Sequence, residues 1–277
     1  MRFRTGAVQF DLQVHGGLPA GLVELSGEDA CGKTAIALSV VREAGQSGLP
    51  CALIHMQGGA PDTNFLRSAG ISRMAVSTPP HGEAAVEVAH SCLSRGFRVV
   101  VIDSFTNLRP RCEDDLMVGE RVPAARLAYH AATVLRERAL RADSLLLCTS
   151  EVRANLEGYG LISAYERVLS RCSDMRIRLS RQETRAEYGL VTDVTIRMDV
   201  LASGISGAGT VSHVHLHQAD GVARDLELLL ALVRAGTLTQ VGAYWKGLSR
   251  MFGPGYTRAA QQVGQRYRRY REELTCP

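Results

Sequence analysis

The sequence is nearly without lysine: Lys33 and Lys246 carry its only ammonium groups, and arginine supplies the rest of its basic charge. It has no C-x-x-C pair, and its seven cysteines (Cys31, Cys51, Cys92, Cys112, Cys148, Cys172, Cys276) are odd in number and scattered. That excludes a disulfide framework and a zinc knuckle and predicts a reducing compartment, the cytoplasm. No apolar run approaches the roughly 20 residues of a membrane span. The longest, such as "LELLLALV", fall far short, and "MRFRTGAVQFDLQVHGG" has no signal-peptide core. A protein without a membrane partner is expected. Internal repeats and low-complexity tracts are missing as well. The formal net charge of +4 and pI near 8.7 permit a nucleic-acid partner without requiring one.

What is present is an ordinary globular composition, 45% hydrophobic over 277 residues, enough for one large domain or a core with an appendage. The stretch "LVELSGEDACGKTAIALSVV" reads as strand, glycine-bracketed loop and helix. Its loop fits G-x-x-x-x-G-K-[ST] through Gly27, Gly32, Lys33 and Thr34. In such a loop the backbone of Gly27, Glu28, Asp29, Ala30, Cys31 and Gly32 wraps a triphosphate, the lysine reaches the outer phosphates and the threonine hydroxyl holds Mg²⁺. One of the two lysines in a lysine-poor chain stands where a compact ammonium is required and a planar guanidinium does not fit. ATP with Mg²⁺ is the expected cofactor.

Along the chain, "CALIHM", "MAVST", "RVVVID" and "SLLLCTS" read as strands, and "DTNFLRSAG", "GEAAVEVAHSCLSRG" and "AARLAYHAATVLRERAL" as helices. Their alternation predicts a parallel sheet covered on both faces. From Met175 the pattern changes to "MRIRLS", "LVTDVTIRMDV" and "TVSHVHLH", which alternate as antiparallel strands exposed on one face. The sheet is therefore expected to be mixed and mainly parallel. A helix "DLELLLALVRAG", a strand "GAYWKG" and a basic helix around "YTRAAQQVGQRYRRYREEL" follow. These divide the chain into a core of residues 1–220 and a small C-terminal α/β subdomain of residues 221–277. "VVVIDS" puts Asp103 at the tip of a buried strand beside Ser104, where a carboxylate organises a magnesium shell together with Thr34.

These blocks, with "GGLPAGLVELSGEDACGKTAIAL", "PDTNFLRSAGI", "VVVIDSFTNLRPR", "ADGVARDLELLLALVRAG" and "GAYWKG" in this order and spacing, resemble the RecA-type recombinases over nearly the whole chain. The resemblance implies a RecA-type P-loop NTPase core of α/β class. It places Asp62 and Phe65 at the adenine, Asp103 at the magnesium, Arg111 to Arg126 in a first DNA loop and Glu151 to Ala164 in a second, with Arg153 at the DNA.

Departures from the family pattern are as informative. The family carries a water-polarising glutamate just after its second strand, where this chain has Gln57, and a γ-phosphate-sensing glutamine where this chain has Glu151. The two residue types look exchanged. Either Glu151 has taken over the water, since a general base is defined by reach, or both positions have lost their function. The neighbour-reaching lysine pair of active filaments aligns with Met198 and Val200, with Arg197 as the nearest cation, and the chain begins with almost none of the family's packing arm.

In the second loop, "RANLEGYGLISAYERVL" combines Arg153 with Tyr159 and Tyr165, which form either a surface that stacks on bases and holds phosphate or a rigidified surface loop. The arginines of "RYRRYREEL" form either a nucleic-acid patch or a solvated helix face. His213, His215 and His217 alternate along one strand with no fourth ligand, which predicts an exposed strand face and no zinc. The expected function is therefore that of a divergent RecA-like ATP-binding protein of DNA repair. As an accessory it would resemble ImuA-type partners of translesion polymerases in SOS mutagenesis, binding single-stranded DNA weakly and meeting a recombinase filament or a polymerase. The alternative is an active DNA-dependent ATPase using Glu151.

Overall fold

The computed structural model describes residues 1–59, 61–71, 73–111, 122–154, 161–163, 165–187, 190–204, 207–219, 221–236, 239–241 and 244–246. In chain order the elements are β1 (Arg2–Phe3), α1 (Val8–Gln13), β2 (Leu18–Pro19), β3 (Gly21–Gly27), α2 (Lys33–Gln46), β4 (Cys51–His55), α3 (Thr63–Ser68), β5 (Ala75–Ser77) and α4 (Gly82–Ser94). They continue with β6 (Val99–Asp103), a 3₁₀ turn (Phe105–Asn107), α5 (Val122–Arg141), β7 (Leu145–Ala154), β8 (Leu161–Ser163), α6 (Glu166–Cys172), β9 (Met175–Glu187) and β10 (Leu190–Ser203). Last come β11 (Val211–His217), β12 (Gly221–Val222), α7 (Arg224–Arg234), β13 (Thr239–Val241) and β14 (Tyr244–Lys246). The basic segment around "RYRRYREEL" lies outside the described residues, as does Tyr159.

One large sheet runs in the order β12-β11-β10-β9-β3-β7-β6-β4-β5. Pairing from β9 through β3, β7, β6 and β4 to β5 is parallel, and β9-β10-β11-β12 is antiparallel. This is the mixed, mainly parallel α/β sheet expected. The unbroken apolar runs explain why its centre is parallel: successive residues must each be buried, on opposite faces. Val99 and Val101 join one core cluster with Leu145, Leu147 and the α2 residues Ile36 and Val40. Val100 and Ile102 join the other, with Leu146 and the α5 residues Ala131 and Leu135. β10 is different, because it alternates. Val194, Ile196, Met198 and Val200 are buried while Thr195, Arg197 and Asp199 are only half-buried.

The exposed histidine face expected on β11 is partly covered. Glu227 of α7 reaches His215, whose Nδ1 lies 2.8 Å from its Oε1, and His215 is buried. His217 pairs with Asp193 on the neighbouring strand. Among the described residues no group of three or more His, Cys, Asp or Glu side chains could hold a metal ion. No described helix is long and apolar enough to cross a membrane.

Candidate nucleotide site

Register brings the site residues together. β3 lies between β9 and β7, and its last residue Gly27 is opposite Leu179 on one side and Glu151 on the other. Ile102 of β6 is level with Cys148 of β7, and Asp103 with His55 of β4. The carboxyl ends of β3, β7, β6 and β4 therefore open on one edge, the usual place for a ligand in such sheets.

The loop from Gly27 to Gly32 tolerates no side chain at either end. A Cβ on Gly27 would lie 2.4 Å from Cys31 Sγ and 2.6 Å from the Leu179 carbonyl oxygen, closer than atoms approach. Gly32 has φ +95°, a left-handed conformation that glycine adopts without strain, and a Cβ there would meet Leu216 Cδ1 at 2.7 Å. Packed on β9 and β11 in this way, the loop turns its backbone outward and leads directly into α2. Lys33 is buried, and its ammonium donates to the carbonyls of Gly27 and Glu28 at 3.0 and 2.7 Å. Burial raises the Cys31 thiol, an effect only partly offset by Lys33 nearby. Cys31 thus serves the loop through its backbone.

Asp103 is almost fully buried and accepts from α2, from β7 and from the segment after β4. Thr34 Oγ1 donates to Oδ2 at 2.9 Å, while Gln57 Nε2 and Thr149 Oγ1 donate to Oδ1 at 2.8 and 2.6 Å. A carboxylate can only accept, so Gln57 must turn its amide nitrogen toward it. A glutamate at position 57 would set two carboxylates face to face. Thr149 is a partner that sequence reasoning missed, because a threonine at the end of a buried strand has many ordinary explanations.

A cleft of about 610 Å³ opens over these groups. Asp29, Lys33, Thr34, Gln57, Ser104 and Glu151 line its polar side; Phe65, Val194 and Leu216 line its apolar side. Ser104 Oγ is buried with no hydrogen-bond partner among the described residues, which leaves its hydroxyl free to bond a bound nucleotide. The main chain of Glu151 is fixed by donation to Thr106 Oγ1 at 3.0 Å. No partner for its carboxylate is found among the described residues. The glycine cradle, the buried ammonium, the orphaned hydroxyl and the Thr34-Asp103 pair fit a magnesium-bound triphosphate.

The RecA N-terminal domain family model matches residues 2–223. The chain belongs to the RecA family. It is similar to protein RecA of Bartonella henselae, 26% identical over 267 residues that cover 93% of this chain and 77% of the relative. With protein RecA of Brucella anthropi it shares 27% identity over 269 residues, covering 94% and 74%. Its fold is similar to that of the crystal structure of the RadB recombinase, with a TM-score of 0.60, 17% identity, and coverage of 79% of this chain and 98% of that one.

Other residues expected from the RecA resemblance are distributed unevenly. Phe65 borders the cleft, but Asp62 does not. Its Oδ1 caps α3, accepting from the backbone N–H of Asn64 and Phe65 at 2.9 and 3.2 Å. Arg126 on α5 and Arg153 on β7 are exposed, outside the cleft. Arg111 is exposed too, and its backbone N–H donates to Glu83 at 3.0 Å. Met198 and Val200 are buried in the core, whereas Arg197, on the other face of β10, is tied to Asp199 at 2.8 Å. The cleft residues Arg181 and Gln218 carried no sequence signal, and His217 stood out only within an alternating histidine strand, because nothing in their spacing joins them to a loop far earlier in the chain.

Proposed function

We propose that this RecA-family protein binds ATP with Mg²⁺ and works in DNA repair or recombination as an accessory to a recombinase filament or a translesion polymerase, turning ATP over slowly if at all. One observation carries the accessory reading: the strand expected to send cations to a neighbouring subunit buries Met198 and Val200 in its own core and neutralises Arg197 with Asp199. Among the described residues of that strand no cation is left unpaired to reach a neighbour's active site, which supports the accessory reading. Lys33 and the loop backbone would bind the phosphates with Ser104 beside them, Thr34 and Asp103 would hold the metal, and Phe65 with Leu216 would shelter the base. Bound magnesium would supply charge neutralisation between the outer phosphates. Gln57, an amide with no basic oxygen, orients groups but takes no proton.

Electron microscopy with ATP and single-stranded DNA, with and without RecA, tests the assembly. The expected outcome is no long filament of the protein alone and shortened RecA filaments in mixtures. Long self-filaments with brisk hydrolysis overturn it.

A second reading rests on Glu151, a carboxylate lining the same cleft as Gln57. In it, Glu151 polarises the attacking water and the protein is a DNA-dependent ATPase. Turnover abolished in Glu151→Gln, with ATP binding unchanged, decides for it.

A further inference from the structure

We propose that Arg181 is a cation that this chain supplies from its own β9 to the terminal phosphate of the nucleotide. The inference rests on the nucleotide-binding reading above and adds a residue to it.

Strand alternation sets the direction of this side chain. Met175, Ile177 and Leu179 of β9 all pack into the core cluster on the α2 side of the sheet, and Arg181 is the next residue in that series. Its partner across the ladder is Ile196, which belongs to the same cluster. β3 stops at Gly27, opposite Leu179, while β9 runs on. Arg181 therefore stands one step beyond the end of β3, beside the chain as it leaves the strand for the phosphate loop. Its Nη2 donates to the Ala30 carbonyl at the crest of that loop, and its side chain lines the cleft with Lys33, Thr34 and Glu151.

Charge and shape complete the case. Lys33 and Arg181 bring the only formal positive charges to the cleft wall, among the described residues, and Asp29 and Glu151 bring negative ones. Lys33 is committed to the root of the loop through Gly27 and Glu28. Arg181, exposed at the rim, uses one N–H on Ala30, and a guanidinium has five in a rigid fork that matches a phosphate. Nothing from β10 competes for the role, because Met198 and Val200 are buried and Arg197 lies on the opposite face. A guanidinium supplied in cis meets the charge on the transferring phosphoryl group in other phosphoryl-transfer proteins. Here it would replace the charge that the buried Met198 and Val200 cannot give to a neighbour.

The test is calorimetric titration of the full chain with ATP and with ADP, each with Mg²⁺, for wild type, Arg181→Ala, Arg181→Lys, Lys33→Ala and Arg197→Ala. Arg181→Ala should weaken ATP about tenfold or more and ADP less than threefold, because it removes one charge-assisted hydrogen bond to the last phosphate. Arg181→Lys should recover part of the affinity, and Arg197→Ala should match wild type. Circular dichroism without nucleotide, unchanged in Arg181→Ala, separates phosphate binding from loop damage. Equal weakening of ATP and ADP, or none, with wild type binding normally and Lys33→Ala not binding, overturns the role of Arg181 and leaves the nucleotide site standing. A folded wild type that binds neither nucleotide overturns both.

Discussion

Asp103 accepts from Thr34, Gln57 and Thr149, side chains on α2, on the segment after β4 and on β7. Of these, Thr34 and Gln57 were legible because each occupies a motif position, while Thr149 needed the strand register to be found. Buried polar groups elsewhere follow the same rule of matched donors. Asp11, at the start of the fold, accepts from the backbone N–H of Thr5 at 3.0 Å and from its hydroxyl at 2.8 Å. Burial raises its carboxyl from 3.8 to about 6, more than those hydrogen bonds lower it, with Glu43 nearby adding to the rise. The folded protein thus holds this proton more tightly than the unfolded chain. The cost of ionising Asp11 is absent below about pH 4, grows as pH rises and is complete above about pH 6, where it is worth about 3 kcal/mol. Stability should fall across that window. In Asp11→Asn this contribution should vanish, which urea unfolding at pH 4, 5, 6 and 7 would read as a flatter profile.

Between elements, a buried ion network ties the sheet to the helix that follows the second loop. Arg176 of β9 donates to Glu24 of β3 at 2.6 Å and pairs with Glu166 of α6 at 2.7 Å, while Ser150 of β7 donates to Glu24 at 2.6 Å. Burial alone would lower the Arg176 pKa, but the bonds to Glu166 and Glu24 outweigh it and raise it. Taking one partner from such a group leaves a buried charge uncompensated, at about 3–5 kcal/mol, whereas replacing both by apolar residues is often near neutral. Arg176→Ala should therefore lower unfolding free energy by about that amount, and Arg176→Met with Glu24→Leu should recover much of it. A drop below about 1 kcal/mol in the single variant would mean that the network is solvated. The network was not legible, since alternation shows only that Arg176 and Arg178 share a face. The His215-Glu227 pair was hidden for a related reason: a strand pattern reports which residues alternate, not which later helix returns to cover them.

At the scale of the whole molecule, the exposed long-chain cations among the described residues are arginines. Arg126 and Arg153 fall in the two segments assigned to DNA loops by resemblance, but the structure places them, exposed, on helix α5 and strand β7. If they meet phosphates, binding of single-stranded oligonucleotide should be weak and salt-sensitive. The Arg126→Ala, Arg153→Ala double variant should then reduce the slope of log K against log salt by about 0.7 for each phosphate no longer neutralised. Fluorescence anisotropy at several salt concentrations reads this directly. An unchanged slope would remove both residues from the DNA surface.

Local chemistry by itself determined the phosphate loop, the carboxylate at the tip of β6 and the parallel centre of the sheet. In each case a short stretch carries the whole constraint: glycines where a Cβ would collide, an acid after four apolar residues, a run too apolar to face water. Tertiary structure alone decided what meets those groups. Thr149 reaches Asp103, Arg181 reaches Ala30 and Glu227 reaches His215 only because β7, β9 and α7 are brought beside partners distant in sequence. Period and propensity describe a strand's two faces. The neighbour on each face is fixed by register and strand order, which depend on the packing of the entire core.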